Sequence, residues 1–242
     1  MKSLKNLLLT NKLVKVLEIV LLFFVAFIII KIFVRPESDN LIYNQAVLWV
    51  ANIVMLIIVW VGIKIRGETL EHFGLTFKKT SPKGILKTIL LSFFVFVLAM
   101  IGFIIGTIIM ANITEIPEQA NMSGYNYLKD NLGMLLLSLA GIYMVSSFGE
   151  EVIYRAFLIN RISELGLNNK LGRIITITIS AVIFGFAHYS WGIVGIVQTT
   201  FMGLALAICY LALKKRIWIL IIAHAYMDTI LMVQLYLSGN SI

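Results

Sequence analysis

Charged residues are scarce in this sequence, and their scarcity excludes an ordinary soluble protein. Asp, Glu, Lys and Arg make up 13% of the 242 residues, whereas 60% are hydrophobic. A soluble domain carries about 25% charged residues. A chain of this length could bury a sizeable core, but it has too few charges to keep the surface of a soluble protein in water. The composition therefore predicts a membrane protein.

Cysteine is almost absent as well. The single cysteine, Cys209, excludes a disulfide framework, and we expect it to pack within the apolar run that contains it. The chain also lacks a Gly/Ser-rich linker, a low-complexity tract, an internal repeat and a second soluble domain. We therefore expect one membrane domain, with residues 1–131 forming a variable part of about three spans and residues 132–242 forming a core of about four.

The hydrophobic residues lie in long uncharged runs such as residues 41–63 and 89–114. A helix needs roughly 20 residues to cross about 30 Å of hydrocarbon, whereas a strand of a membrane barrel needs about 10. The runs therefore predict an all-α, polytopic membrane protein with about seven spans. We place these spans at about 13–34, 41–63, 85–112, 132–160, 172–189, 192–213 and 217–237.

The basic residues predict the orientation of the chain. With a cytoplasmic N-terminus, the inner segments hold 16 of the 20 Lys and Arg residues, as the positive-inside rule requires. The predicted outer loops carry acidic residues instead, namely Glu37, Asp39, Glu115, Glu118 and Asp130. We interpret the basic residues as topology anchors beside anionic lipid headgroups, so the net charge of +8 does not indicate nucleic-acid binding.

Ionisable residues inside three of the predicted spans indicate a functional site. Such groups cost at least about 2.5–3.5 kcal/mol each at membrane depth and are functional by default. His72, the third histidine of the chain, falls in a predicted cytoplasmic loop, where we expect a solvated side chain. The intramembrane residues are Glu150, Glu151 and Arg155 in span four, His188 at the end of span five, and His224 and Asp228 in span seven.

Helical spacing predicts how these side chains are arranged. Glu151 and Arg155 are four residues apart, so we expect a structural ion pair. Glu150 points about 100° away from Glu151 and is free for another role. His224 and Asp228 are again four apart on one face. Two imidazoles and two carboxylates suit either a divalent metal or the activation of water without one.

The three motifs together are similar to those of a known family of membrane proteases. Glu-Glu-x-x-x-Arg begins at Glu150, Phe-x-x-x-His joins Phe184 to His188, and His-x-x-x-Asp joins His224 to Asp228. This set resembles the CAAX protease and bacteriocin-processing family of intramembrane proteases, which includes the CAAX prenyl endopeptidases. The resemblance covers about residues 132–237, whereas the first three spans share only their membrane character.

The resemblance implies a role for each matching position. Glu150 would be the general base, and His188 would bind or polarise the attacking water. His224 and Asp228 would bind metal or stabilise the oxyanion. Glu151 and Arg155 would be the supporting pair, and Phe184 would shape the pocket. The eukaryotic members have Asn where this chain has Asp228, and an ionised carboxylate cannot donate a hydrogen bond to an oxyanion.

We therefore expect an intramembrane endopeptidase of a prokaryotic-type plasma membrane that cleaves a lipidated, leader-type or other membrane-associated peptide. The alternatives are a non-catalytic immunity or regulatory protein and a proton-coupled transporter, although no repeated halves typical of transporters are visible. Asp228 favours either a divalent metal, with zinc held by His188, His224 and Asp228, or a carboxylate that orients His224, and a metal-free glutamate mechanism stays open. The expected partners are membrane lipids and a peptide substrate, and the oligomeric state is open.

Overall fold

The fold is all-α, as predicted. The computed structural model describes residues 2–35, 41–76, 80–114 and 123–237, and these residues contain no strand. The predicted loop residues Glu37, Asp39, Glu115 and Glu118 lie outside this part of the chain. Its helices are α1 (Lys2–Thr10), α2 (Lys12–Phe33), α3 (Leu41–Arg66), α4 (Pro82–Ile113), α5 (Leu132–Ile142), α6 (Asn160–Ser163), α7 (Lys170–Phe186), α8 (Gly192–Ala212) and α9 (Ile217–Leu237).

Helices α5 and α6 are the two ends of one long helix, whose middle is widened into π-helical turns. These turns span Tyr143–Phe148 and Glu151–Ile159. Shorter 3₁₀ turns at Leu70–Phe73, Ser123–Leu128 and Tyr189–Trp191 complete the described helical structure. A π-helical stretch is rare and is often found at a functional site.

Six helices of the described residues are long and apolar enough to cross a membrane. They are Lys12–Phe33, Ile42–Arg66, Pro82–Ile113, Leu132–Ser163, Tyr189–Ala212 and Ile217–Leu237. The difference from the predicted seven is α7, which ends at Phe186 after 17 residues. At 1.5 Å per residue it covers about 25 Å, slightly less than the hydrocarbon thickness. The predicted count is close, and the cytoplasmic N-terminus stays a prediction.

Side-chain exposure shows the inverted pattern of an integral membrane protein. Large apolar side chains such as Leu90, Phe94 and Leu137 are more than half exposed on the outer surface. The interior instead contains small residues that allow helices to pack closely. A Cβ atom added to Gly102 of α4 would lie 2.6 Å from the carbonyl oxygen of Phe201 in α8.

Asparagine side chains determine where two of the site helices begin. The side-chain oxygen of Asn131 accepts a hydrogen bond from the backbone N–H of Met134, 3.1 Å away, at the start of α5. Asn169 does the same for Gly172 at the start of α7, at 2.7 Å. Such caps satisfy backbone donors that have no partner within the helix, and they set the registers that carry the site residues.

A buried ion cluster joins α2, α3 and α6, and it corrects one prediction. Arg66 donates a hydrogen bond to Glu18 at 2.5 Å, and Arg161 donates to Glu164 at 2.7 Å and to Glu68. Both arginines are buried. They are therefore ion-paired inside the protein rather than exposed to lipid headgroups, and Glu18 is a further acid within a helix long enough to span a membrane, beside the three recognised in the sequence.

The position of Glu68 in this cluster changes its acidity. Burial alone would raise the pKa of the carboxyl group, but hydrogen bonds from Arg161 and Arg66 outweigh burial and hold the pKa below its usual value of 4.5. Lys15, also counted among the predicted lipid anchors, is buried and contacts Glu164 at 2.8 Å. The cluster thus holds together the end of the bundle at which α6 terminates.

Candidate active site

The two adjacent glutamates lie where the π-helical turns meet, and they face different surroundings. Glu151 is fully buried, with 0% of its side chain exposed, whereas Glu150 keeps 15% exposed. The Oε2 atom of Glu150 is buried and has no hydrogen-bond partner among the described residues, whereas its Oε1 atom is also unpaired but is not among the buried atoms. The predicted separation of the two side chains is therefore present, and one carboxylate oxygen of Glu150 is unengaged.

Glu151 and Arg155 form the predicted ion pair. The Nη1 atom of Arg155 donates to Oε1 of Glu151 at 2.7 Å, and neither side chain is exposed. The guanidinium also stacks over the ring of Phe184, with its Cζ atom 4.2 Å from the ring centroid. Phe184, predicted to shape the pocket, thus supports the pair through a cation–π contact.

Glu151 has a second partner that the sequence did not predict. Nδ1 of His224 lies 2.8 Å from the same Oε1 atom that accepts from Arg155. Because an ionised carboxylate can only accept, the proton of the ring is on Nδ1. This contact orients the imidazole and directs its Nε2 atom towards the other acids of the site.

The Nε2 atom of His224 lies between two carboxylate groups of the site. It lies 3.9 Å from Oε2 of Glu150 and 3.9 Å from Oδ1 of Asp228. The four-residue spacing places Asp228 on the face of His224, as predicted. The helix that carries Glu150 and helix α9 therefore bring together three of the four predicted catalytic side chains, namely Glu150, His224 and Asp228.

Two serines complete this group. The hydroxyl of Ser147 donates to Oδ2 of Asp228 at 2.6 Å, and the bond is buried. The Oγ atom of Ser146 lies 3.5 Å from Nε2 of His224. Sequence reasoning missed both, although a pair of serines separated by two residues from a following pair of buried acids was a readable signal.

His188 lies on the same cavity but further from the acids. It follows the end of α7, and its Nδ1 atom lies 2.9 Å from the carbonyl oxygen of Phe184. Its ring packs against Phe184 at 4.9 Å and against Trp191 at 5.0 Å. The carbonyl fixes the tautomer, since it can only accept, and leaves Nε2 without the proton.

One cavity of about 1130 Å³ is lined by all four predicted catalytic residues. Aromatic and aliphatic side chains of α2 form another part of its wall, among them Phe23 and Phe27. Tyr125, from the turn Ser123–Leu128, and Tyr154 also line it. Burial, followed by the neighbouring phenol of Tyr127 and the carboxyl groups of Asp228 and Glu150, raises the pKa of Tyr125 to about 12. The site thus combines an apolar wall with a small group of polar side chains, as ligand sites do.

The predicted zinc ligands do not meet the geometry of a metal site. Ligands at 2.0–2.2 Å around tetrahedral zinc lie about 3.4 Å from one another. Within the described part of the chain, one group of three potential ligands has its atoms within 4.8 Å of each other, and that group is Glu68, His72 and Glu164. His188, His224 and Asp228 do not form such a group, so zinc stays a prediction and no step below depends on it.

The residues outside the site mostly agree with their predicted roles. His72 is exposed, as expected of a loop side chain, and the carboxylates in its group are already ion-paired to arginines. Cys209 is a buried free cysteine, which fits the packing role predicted for it.

Comparison with known families supports the same part of the chain. The model of a family described as Type II CAAX prenyl endopeptidase Rce1-like matches residues 132–230. That segment contains all three motifs, and the predicted resemblance is confirmed there. The matched family is one of endopeptidases, and the six long apolar helices indicate an integral membrane protein. Neither a curated protein nor a solved structure matches the chain.

Proposed function

We propose that this chain, whose residues 132–230 match the model of a type II CAAX prenyl endopeptidase family, is an intramembrane endopeptidase that activates water with Glu150. One observation carries the proposal. Glu150 lines a large cavity shared with His188, His224 and Asp228, and its Oε1 atom makes no hydrogen bond with the described residues and is not among their buried, unpaired atoms. A general base needs such an unengaged oxygen within reach of a water molecule.

The first step is the attack of water on a peptide carbonyl. Glu150 takes a proton from the water, and the oxygen forms a bond to the carbonyl carbon while the carbonyl π electrons move to its oxygen. His188 supports this step, because its bare Nε2 atom can accept the second hydrogen of the water. The tetrahedral species then carries negative charge on the former carbonyl oxygen.

The second step breaks the peptide bond. The protonated Glu150 returns its proton to the amide nitrogen and the C–N bond breaks, and the proton of the new carboxyl group passes to the amine, so that a carboxylate and an ammonium group leave. Glu151 holds the ring of His224 through Nδ1, and Asp228 is held by Ser147. These contacts fix the charges around Glu150 in place, which lowers the reorganisation needed during the reaction.

The cavity wall supports a substrate that is associated with the membrane. Phe23 and Phe27 line the cavity, and Phe27 is more than half exposed on the surface of α2. An apolar wall on a helix that faces lipid favours a peptide with a hydrophobic or lipidated segment over a soluble peptide. A lipidated protein end and a hydrophobic leader peptide both have this chemistry.

Glu150→Gln tests the proposal, because the amide keeps the shape of the side chain but cannot take the proton. We expect peptide cleavage to fall by at least about 10²-fold while the protein still inserts and folds. Membranes containing the wild type or the variant are compared by mass spectrometry for newly formed N-termini. Peptides cut only by the wild type would be the substrates.

The matched control is Glu71→Gln, the same substitution at an exposed glutamate that does not line the cavity. This variant should cleave the same peptides as the wild type. Identical peptide patterns in the wild type and in folded Glu150→Gln would refute the proposed function.

A further inference from the structure

The two carboxylates on the cavity offer no donor for the oxyanion that the proposed reaction creates. Preorganised donors at the developing negative charge usually provide the largest single contribution to such a reaction. Glu150 and Asp228 are carboxylates, which only accept when ionised. Asp228 also already accepts the hydroxyl of Ser147 at 2.6 Å.

The two imidazoles direct their N–H groups away from the cavity. Nδ1 of His224 donates to Glu151 at 2.8 Å, and Nδ1 of His188 donates to the carbonyl of Phe184 at 2.9 Å. In its neutral form each ring therefore presents a bare Nε2 atom to the cavity, which accepts hydrogen bonds but cannot donate one. A second proton on Nε2 of His224 would lie between two carboxylate oxygens, each 3.9 Å away, and their charge opposes an oxyanion placed beside them.

Tyr154 carries an unused donor on the same cavity. The residue is 5% exposed and lines the cavity together with Glu150. Glu150 precedes Tyr154 by about one helical turn. The hydroxyl of Tyr154 makes no hydrogen bond to the described residues. The hydroxyl oxygen is also not one of the buried polar atoms of those residues that lack a hydrogen-bond partner. The oxygen therefore keeps surface that faces the cavity.

The ring of Tyr154 is held from two sides. It packs edge-on against Phe184 with centroids 5.1 Å apart and against Phe23 at 5.8 Å. Phe184 in turn contacts the ring of His188 at 4.9 Å. The phenol is therefore fixed against the ring that also packs on His188, and its hydroxyl is a neutral donor that needs no change of protonation before the reaction.

We propose that the hydroxyl of Tyr154 donates a hydrogen bond to the oxyanion of the tetrahedral intermediate, as a further catalytic residue. The inference rests on the proposed endopeptidase function and identifies the donor that its carboxylates cannot supply. Ser146 is a weaker candidate, because its Oγ atom is already 3.5 Å from Nε2 of His224. Tyr125 reaches the cavity from a turn outside the helix that carries the base.

Tyr154→Phe tests this role by removing one oxygen atom and keeping the packed ring. The assay uses a quenched fluorescent peptide that contains a cleavage site identified by the Glu150→Gln comparison. We expect kcat to fall by about 10²-fold or more, with KM changed by less than about 3-fold because the substrate is bound before the charge forms. A phosphinic analogue of the same peptide, which mimics the tetrahedral intermediate, should lose affinity by a similar factor.

The control is Tyr226→Phe, the same chemical change on α9 at a ring that packs against Phe96, with centroids 6.0 Å apart, rather than on the cavity. It should keep kcat within twofold of the wild type. Replacing Tyr154 by p-aminophenylalanine restores an N–H donor and should recover at least tenfold of the activity lost in Tyr154→Phe.

Two results would overturn the inference. One is a Tyr154→Phe variant that keeps more than half of the wild-type kcat. The other is a p-aminophenylalanine variant that is no more active than the Phe variant. Both leave the endopeptidase function intact, whereas a wild type and Glu150→Gln with identical peptide patterns would remove that function, and this inference with it.

Discussion

Removing Glu151 should separate its effect on stability from its effect on activity. Its Oε1 atom accepts from both Arg155 at 2.7 Å and His224 at 2.8 Å. Arg155 has no hydrogen-bond partner for its Nε and Nη2 atoms among the described residues, so the bond to Glu151 is its principal compensation. Glu151→Ala therefore leaves a guanidinium buried and unpaired, with only the ring of Phe184 against it.

The expected loss of stability follows from this burial. Breaking a fully buried pair by removing one partner costs about 3–5 kcal/mol in soluble proteins, and at 2–4 °C per kcal/mol that lowers Tm by about 6–20 °C. Thermal unfolding of the purified protein in detergent measures it. The double variant Glu151→Ala with Arg155→Ala removes the unpaired charge as well, so part of the lost Tm should return.

Activity should not return with stability. The double variant still lacks the acceptor for Nδ1 of His224, and the loss of such an orienting partner typically costs 10–100-fold. We therefore expect the cleavage rate of the double variant to stay at least about tenfold below the wild type. A Tm loss equal to the sum of the single losses would refute the ion pair, and wild-type cleavage would refute the orienting role of Glu151.

Two further predictions concern metal and pH. If the reaction is metal-free, purified protein should cleave its peptide in the presence of a chelator, and Asp228→Asn should stay active. If zinc is bound, elemental analysis should find about one zinc per chain, and a chelator should abolish activity reversibly. Because the folded pKa of Glu68 is lowered, its contribution to stability is complete above pH 4.5 and is lost as the pH falls through the lower folded value. The Tm of Glu68→Gln should therefore fall less between pH 6 and pH 3 than that of the wild type, and parallel pH profiles would contradict this.

The fold could be predicted from the sequence because the bilayer makes the pattern simple. Uncharged runs as long as residues 41–63 and 89–114 have one stable solution in hydrocarbon, a helix that satisfies its own backbone. The exception is α7. Its apolar residues continue past Phe186, but the chain leaves the helix there and enters the turn Tyr189–Trp191, and composition alone does not mark that end.

Contacts within one helix could be predicted, whereas contacts between helices could not. The spacing of Glu151 and Arg155, and that of His224 and Asp228, places each pair on one face whatever the neighbouring helices do. The bond from His224 to Glu151 instead depends on how α9 packs against the π-helical turns. The same holds for Glu18, which lies in an apolar span and finds its partner Arg66 at the end of another helix.

The order of the two glutamates explains why one site can contain both an anchored and a reactive carboxylate. Adjacent side chains on a helix diverge by about 100°, so Glu150 and Glu151 cannot compete for the same partners. Glu151 is directed into the protein, where Arg155 and His224 occupy it, while one oxygen of Glu150 stays unengaged. Arg155 neutralises Glu151. The fixed carboxylate of Glu151 in turn holds the imidazole of His224, which faces Glu150. Exchanging the two roles would require the helix to rotate by nearly a third of a turn, which the packing of Arg155 on Phe184 opposes.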